Sequence, residues 1–289
     1  MNQVVEQMLK AYNCQSLLDY ENAIKEIIQE ISLLGMWRAK FFEQGAFYGG
    51  TALRILHGLE RFSEDMDFSL LAPNPNFNIS AYEKALQREL ESYGFEVVVE
   101  RNAKSFDLPI ESAFVKANTL IHLLKIRSDL KTHKNRTLKV KIEVDTNPPG
   151  SPLLEVRTHF RPIPYTVKTF ALPSLFAGKI AAALYRPYKF NTKGRDWYDL
   201  LWYIGHNTPV DLAYLRAVAI QLGKWPSDKI LEMSDLKELL AERIAELDIT
   251  QAQNDVLPFV KDQQPIKAWS RDMFLEATSM LTPIKSAST

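Results

Sequence analysis

Between residues 16 and 42, apolar side chains recur at three-and-four spacing: Leu17, Leu18, Ala23, Ile24, Ile27, Ile28 and Ile31 stand between charged positions. That period lines one side of a helix. Gly45 and then Gly49-Gly50 break the pattern. Thr51 follows where a helix N-cap belongs, before Ala52-Leu53-Arg54-Ile55-Leu56, and Gly58 closes this short helix. In Asp65-Met66-Asp67-Phe68-Ser69-Leu70 polar and apolar residues alternate, which predicts a strand with one polar and one buried face. Pro73, Asn74, Pro75 and Asn76 make the next stretch a loop.

Residues 80 to 93 carry a second helical pattern, with Ser80 as cap, Tyr82, Leu86 and Leu90 on one side, and Gly94 as stop. Phe95 to Val99, residues 112 to 128 and residues 138 to 146 are strand candidates. Of these, Lys139 to Asp145 alternates most clearly, and Asn147-Pro148-Pro149-Gly150 ends it. Residues 153 to 170 add one or two strands. After Pro173 the pattern is helical to about residue 282, with breaks near Asn207-Thr208-Pro209 and Trp225-Pro226-Ser227. The expected fold class is therefore α/β (α+β), with a mixed half over 1–170 and an all-helical region over 171–289. Ser286 to Thr289 read as a frayed tail.

Composition narrows the function classes. In 289 residues, 46% are apolar and 24% charged, as in soluble globular proteins. The formal net charge is +0, so overall charge draws the chain toward neither nucleic acid nor an acidic membrane, and a nucleic-acid partner needs a local basic patch. Cys14 is the one cysteine, which excludes an intrachain disulfide and a cysteine zinc cluster and fits a reducing cytoplasm. Packing accounts for it better than catalysis does. No run approaches the ~18 apolar residues of a membrane span, and Met1 to Glu6 show no secretory pattern, so a cytoplasmic protein with no membrane partner is expected.

Chemistry concentrates in two segments. Gly49-Gly50-Thr51 precedes Asp65-x-Asp67 by thirteen intervening residues. Glycines let backbone approach phosphate oxygens, and a helix beginning there aims N–H groups at the same spot. Asp65 and Asp67, two apart on a strand, project from one face and repel each other unless a cation lies between them. Mg²⁺ (or Mn²⁺) takes such carboxylates together with substrate phosphates. Either element alone is commonplace; in this order, with a helix between them, they read as a metal clamp beside a phosphate cradle for an NTP. A third carboxylate from a neighbouring strand is expected, Glu143 ahead of Asp145, which shares its face.

In the helical half, Lys179 and Arg186 are seven apart and expected on one helix face. Asp196 and Asp199 stand at i and i+3, able to orient that lysine or a nucleotide hydroxyl; on spacing alone a salt-bridged helix pair explains them as well. Two basic groups complete the inventory. One is Lys125, Arg127, Lys131, Lys134, Arg136, Lys139 and Lys141. The other is Arg186, Lys189, Lys193 and Arg195, mixed with Tyr185, Tyr188 and Trp197. They suit an RNA end, and a solvated face explains them equally.

Gly49-Gly50-Thr51-Ala52-Leu53 with Arg61-Phe62-Ser63-Glu64-Asp65-Met66-Asp67-Phe68 resembles the first motif of the AbiEii/AbiGii-type nucleotidyltransferases. The likeness runs from about 45 to 205. It implies the DNA polymerase β-like nucleotidyltransferase fold, with a core over 1–170 and a helical domain over 171–289 that completes the active site. It also implies a MenT-like toxin of a toxin–antitoxin or abortive-infection system. By the same resemblance Asp65, Asp67 and Glu143 bind metal. Gly49, Gly50, Thr51, Ser63, Lys179 and Arg186 hold the nucleotide, and Lys179 and Asp196 belong to the catalytic set. An NMP would pass from an NTP to an acceptor such as the tRNA 3′ end, and a cognate antitoxin is implied. A non-catalytic nucleotide-binding regulator, or transfer to a protein or small-molecule hydroxyl, are the alternatives. Asn147-Pro148-Pro149-Gly150 departs from the family, in which a basic residue is expected soon after Glu143.

Overall fold

A computed structural model describes residues 2–101, 110–117, 138–187 and 192–285. It divides into two units, one of 1–57, 62–148 and 155–169, the other of 58–61, 149–154 and 170–289. The first unit opens with helix α1 (Gln3–Lys10), whose Asn2 side chain caps the Val4 N–H, an element the sequence pattern did not predict. Helix α2 (Leu17–Arg38) starts on a capping box between Ser16 and Asp19. It stops short of residue 42, because Lys40 turns left-handed (φ 62°) and a 3-10 turn, Phe41–Glu43, follows.

Next come strand β1 (Gly45–Tyr48), helix α3 (Gly49–His57), strand β2 (Asp65–Leu70), helix α4 (Ser80–Ser92) and strands β3 (Val97–Arg101) and β4 (Ile110–Ala117). Strands β5 (Leu138–Asp145), β6 (Leu154–His159) and β7 (Tyr165–Phe170) complete the seven-stranded sheet, in the order β3-β4-β5-β2-β1-β7-β6. The sheet is mixed: β2 runs parallel to β5 and β1 parallel to β7, while β1–β2, β3–β4 and β4–β5 are antiparallel.

β1 escaped the sequence reading because three buried residues and a half-buried Tyr48, ending at Gly49, show no usable alternation. Ser80 is the first residue of α4 and not its cap; the side chain of Asn78 accepts from the Ser80 N–H. The strand expected over 95–99 lies two residues later, and the stretch from 118 to 128 falls outside the described residues. Residues 153 to 170 supply two strands.

The core of this unit gathers around Phe41, whose ring meets those of Phe42, Phe68, Phe77 and Tyr82 edge-on, while Phe77 stacks on Tyr82. Helix α2 runs through it, buried from Ala23 to Met36 apart from a half-buried Lys25. A helix enclosed on all sides must pair its polar residues inside. Glu26 does so with Arg54 at 2.7 Å and the Tyr12 hydroxyl at 3.0 Å. Glu30, wholly buried, faces Arg161 at 2.6 Å and His159 at 3.2 Å. Burial pushes the Glu30 carboxyl up; His159 and Arg161 oppose that without cancelling it.

The second unit is helical: α5 (Leu172–Tyr185), α6 (Gly194–Gly205), α7 (Leu212–Gln221), α8 (Met233–Ala245), α9 (Ile249–Val256), α10 (Gln264–Lys267) and α11 (Arg271–Ser279). Phe176 stacks on Tyr203 at 4.6 Å, and Trp197 meets Phe274 edge-on at 5.3 Å. Gly194 starts α6 because any Cβ there would run into the Ala252 carbonyl of α9. The Ser174 hydroxyl donates to Asp211 at 2.6 Å and accepts from the Leu153 N–H at 2.8 Å, tying 149–154 to α5 and the start of α7. Among the described residues no helix is long and apolar enough to cross a membrane.

Phe41→Ala is expected to lower the stability of the first unit by about 3–5 kcal/mol, since four aromatic neighbours line the cavity it leaves. Urea unfolding checks this; a loss under ~1 kcal/mol would mean that the cluster collapses freely onto the gap.

Candidate active site

Strand register decides which side chains meet. Tyr48 pairs with Asp67 across β1–β2, so Gly49 follows directly beside Asp67. Gly49 has φ +80°, and a Cβ there would overlap the Asp67 carboxylate. Both facts require glycine at this position. Across β2–β5, Asp67 pairs with Glu143, Asp65 with Lys141 and Ser69 with Asp145. Residues in register on neighbouring strands share a sheet face, so Asp65, Asp67, Lys141, Glu143 and Asp145 belong to one.

Helix α3 begins at Gly49, two residues before the expected start, so Thr51 is not its cap. Thr51 is buried in the first turn, and its hydroxyl donates to the Asp65 carbonyl, pinning the start of β2 to α3. What Thr51 can offer a phosphate is its backbone N–H in that first turn. Ser63 lies in the approach to β2. Its carbonyl and that of Glu64 accept from the Gln29 amide at 3.0 and 2.9 Å, and Glu64 also pairs with Lys25 at 2.9 Å. Helix α2 thus holds the entry to the acidic strand.

The two candidates for the third carboxylate differ in surroundings. Glu143 lies directly across from Asp67 and is paired with Lys141 at 2.6 Å. Asp145 lies farther along and accepts from the Asn147 N–H at 2.9 Å; burial pushes its carboxyl up. Among the described residues, no group of three or more His, Cys, Asp or Glu side chains is drawn together as a ready-made metal site. For Glu143 the reason is visible, because its carboxylate is turned to Lys141. The donor set is nonetheless that of an oxygen-seeking divalent cation, with carboxylates in register beside a backbone cleared of Cβ atoms.

In the second unit, Lys179 is engaged by Asp196 at 2.8 Å and Asp199 at 2.9 Å. Arg61 donates to both oxygens of Asp199 at 2.6 Å, a fully buried fork-to-fork pair that sequence reading missed. Its signal was present only as an arginine inside the quoted motif. Burial alone would lower the Lys179 ammonium; Asp196 and Asp199 outweigh it and hold the group above its ordinary value. Burial alone would raise the Asp196 carboxyl, yet Lys179 first and Arg186 next pull it below the usual carboxylate range. Arg186 lies one residue past α5, with its Nε 3.3 Å from Asp196, so it does not continue the helix face that carries Lys179.

The basic groups divide. Residues 125, 127, 131, 134, 136, 188 and 189 lie outside the described residues. Trp197 is wholly buried and cannot stack on a base, and Arg195 lies over the Phe259 ring at 4.3 Å.

A mixed sheet carrying paired acids beside a glycine-opened helix start is the class of site that phosphoryl and nucleotidyl transfer use. The sequence matches, over residues 32–277, the family described as "Nucleotidyl transferase AbiEii toxin, Type IV TA system". That is more than half the chain, which therefore belongs to the AbiEii nucleotidyltransferase family and is an enzyme of that class. No curated protein matches the sequence. Two crystal structures from Helicobacter pylori are similar. One, described as a candidate nucleotidyltransferase, is 17% identical with a TM-score of 0.49 over 89% of this chain and 91% of that one. The other, JHP933, is 18% identical with a TM-score of 0.47 over 90% and 89%. Likeness of that degree carries no weight for chemistry.

Two outcomes are expected of the Lys179 cluster. Asp199→Ala removes the bidentate partner of buried Arg61 and one of the two carboxylates at Lys179, and should cost about 3–5 kcal/mol in chemical unfolding; a cost below ~1 kcal/mol would show the pair to be dispensable. The depressed Asp196 carboxyl binds fewer protons in the folded than in the unfolded chain near its titration. Its contribution to stability is therefore complete above the ordinary carboxylate range and lost as pH falls through the lower folded value. Melting curves of Asp196→Asn should lack that acid-side slope.

Proposed function

We propose that this nucleotidyltransferase moves a nucleoside monophosphate from an NTP to an acceptor hydroxyl, with Mg²⁺ or Mn²⁺ held by Asp65, Asp67 and Glu143. The observation that carries the reading is the register that sets Asp67 opposite Glu143 and beside the Gly49 opening. The acceptor oxygen bonds to the α-phosphorus, the bond from that phosphorus to the bridging oxygen breaks, and pyrophosphate leaves; the hydroxyl proton passes to solvent. The chemistry a divalent ion supplies in such a site is activation of the hydroxyl and neutralisation of the leaving group. Gly49, Gly50 and Thr51 present backbone N–H groups to the triphosphate, and Ser63 lines the approach. Lys179, Arg186 and Asp196 enter as nucleotide-handling residues through the family resemblance. Membership of a type IV toxin family supports a growth-arresting role with a cognate antitoxin. An RNA 3′ end, as on tRNA, is the proposed acceptor.

Purified protein incubated with each labelled NTP, Mg²⁺ or Mn²⁺ and total RNA should transfer label to RNA. Asp67→Asn and Gly49→Ala should lower transfer on the order of 10²-fold or more, Asp67→Asn without loss of melting temperature. Transfer by Asp67→Asn equal to wild type would defeat the metal assignment. Label appearing only on protein or a small molecule would move the acceptor while keeping the site.

A further inference from the structure

Strand β6 ends the sheet, and among the described residues no strand pairs with its outer edge. Its sequence, Leu154-Glu155-Val156-Arg157-Thr158-His159, holds neither the lysine nor the proline that commonly blunts such an edge. Its exposed face carries Leu154, 44% exposed, Val156, 64% exposed, and an exposed Thr158, with Phe160 just beyond at 69%. The alternate side chains, Glu155 and Arg157, form an opposite-charge couple 3.4 Å apart, each about a third or more exposed, at 34% and 40%.

We propose that β6 pairs antiparallel with β6 of a second copy, about a two-fold axis through Val156. That axis sets Val156 against the partner's Val156, Glu155 against the partner's Arg157, and Leu154 against the partner's Thr158. Each charged pair then occurs twice, as closed two-fold symmetry demands. The register is selective. Centring on Glu155 would oppose two carboxylates and centring on Arg157 two guanidiniums, and like charges directly opposite are destabilising. The pairing satisfies the free edge backbone, covers Val156 and joins two sheets into one. It is independent of the transfer chemistry proposed above.

Analytical ultracentrifugation of the full chain at tens of micromolar tests it. Wild type should sediment at twice the mass of one chain. E155R makes the strand doubly positive and R157E makes it doubly negative, so each alone should sediment as a single chain. An equimolar mixture of E155R and R157E should restore the dimer, because every cross-strand pair is again of opposite sign. A contact within one chain cannot produce that rescue. Circular dichroism and melting curves confirm that each variant is folded; V156K, on the other face, serves as a second disrupting variant should either charge reversal fail to fold. Wild type sedimenting as a single chain, a dimer indifferent to all three substitutions, or no rescue on mixing two folded variants would each overturn the proposal.

Discussion

The contact between Gly49 and Asp67 is the constraint from which the rest of the site follows. A side chain at residue 49 would occupy the volume of the Asp67 carboxylate, and the backbone there holds a φ of +80°. Both conditions arise because β1 ends at Tyr48, opposite Asp67, and the chain turns at once into α3. The turn brings the N–H groups of the first helical residues to the edge of the acidic strand. The Thr51 hydroxyl, donating to the Asp65 carbonyl, fixes the distance between the two elements. One turn and one strand register thus place the first N–H groups of a helix beside in-register carboxylates, with loops making only the approach.

Much of the remaining structure consists of charges taken out of water and paired. In the first unit, α2 carries Glu26 and Glu30 into the core, where Arg54, Arg161 and His159 meet them. In the second, Arg61 and Lys179 share Asp199, and Lys179 also holds Asp196. Such networks add little net stability over an apolar core, but breaking one partner is costly. Their use is geometric. Gln29 of the same buried face of α2 holds the carbonyls of Ser63 and Glu64, immediately before Asp65. The rigidity of an enclosed helix is thereby passed to the strand that carries Asp65 and Asp67.

What the sequence revealed and what it hid divide along physical lines. β2 and β5 were legible because their alternation is strict and each has one buried face, Met66 and Phe68 in one, Val140, Ile142 and Val144 in the other. Their adjacency was assumed, and only pairing shows that Asp67 meets Glu143 and not Asp145. β1 was invisible because three buried residues and a half-buried one carry no period. Thr51 looked like a cap because threonine caps helices well, yet glycine can open a helix without a side-chain cap, and the hydroxyl was drawn to a strand carbonyl instead. Arg61 hid for another reason: its partner is 138 residues away, beyond any local pattern. Trp197 read as a surface aromatic among basic residues, but its place on α6 turns it to Phe274 in the core.

Lys141 bears on how the acidic face is held together. On a strand, residues two apart share a face, so Lys141 belongs to the same surface as Glu143 and stands opposite Asp65 in register. Carboxylates carried on one face repel one another unless a cation lies between them. Lys141, 2.6 Å from Glu143, matches the charge of that carboxylate where β2 and β5 pair. Under the metal assignment proposed above, the same ammonium sets the terms for a divalent ion. It must draw Glu143 away from a partner that is always at hand, which favours an ion arriving with the negative charge of a triphosphate over a bare one. On that assignment, the lysine beside the acids couples occupancy of the metal site to the presence of nucleotide.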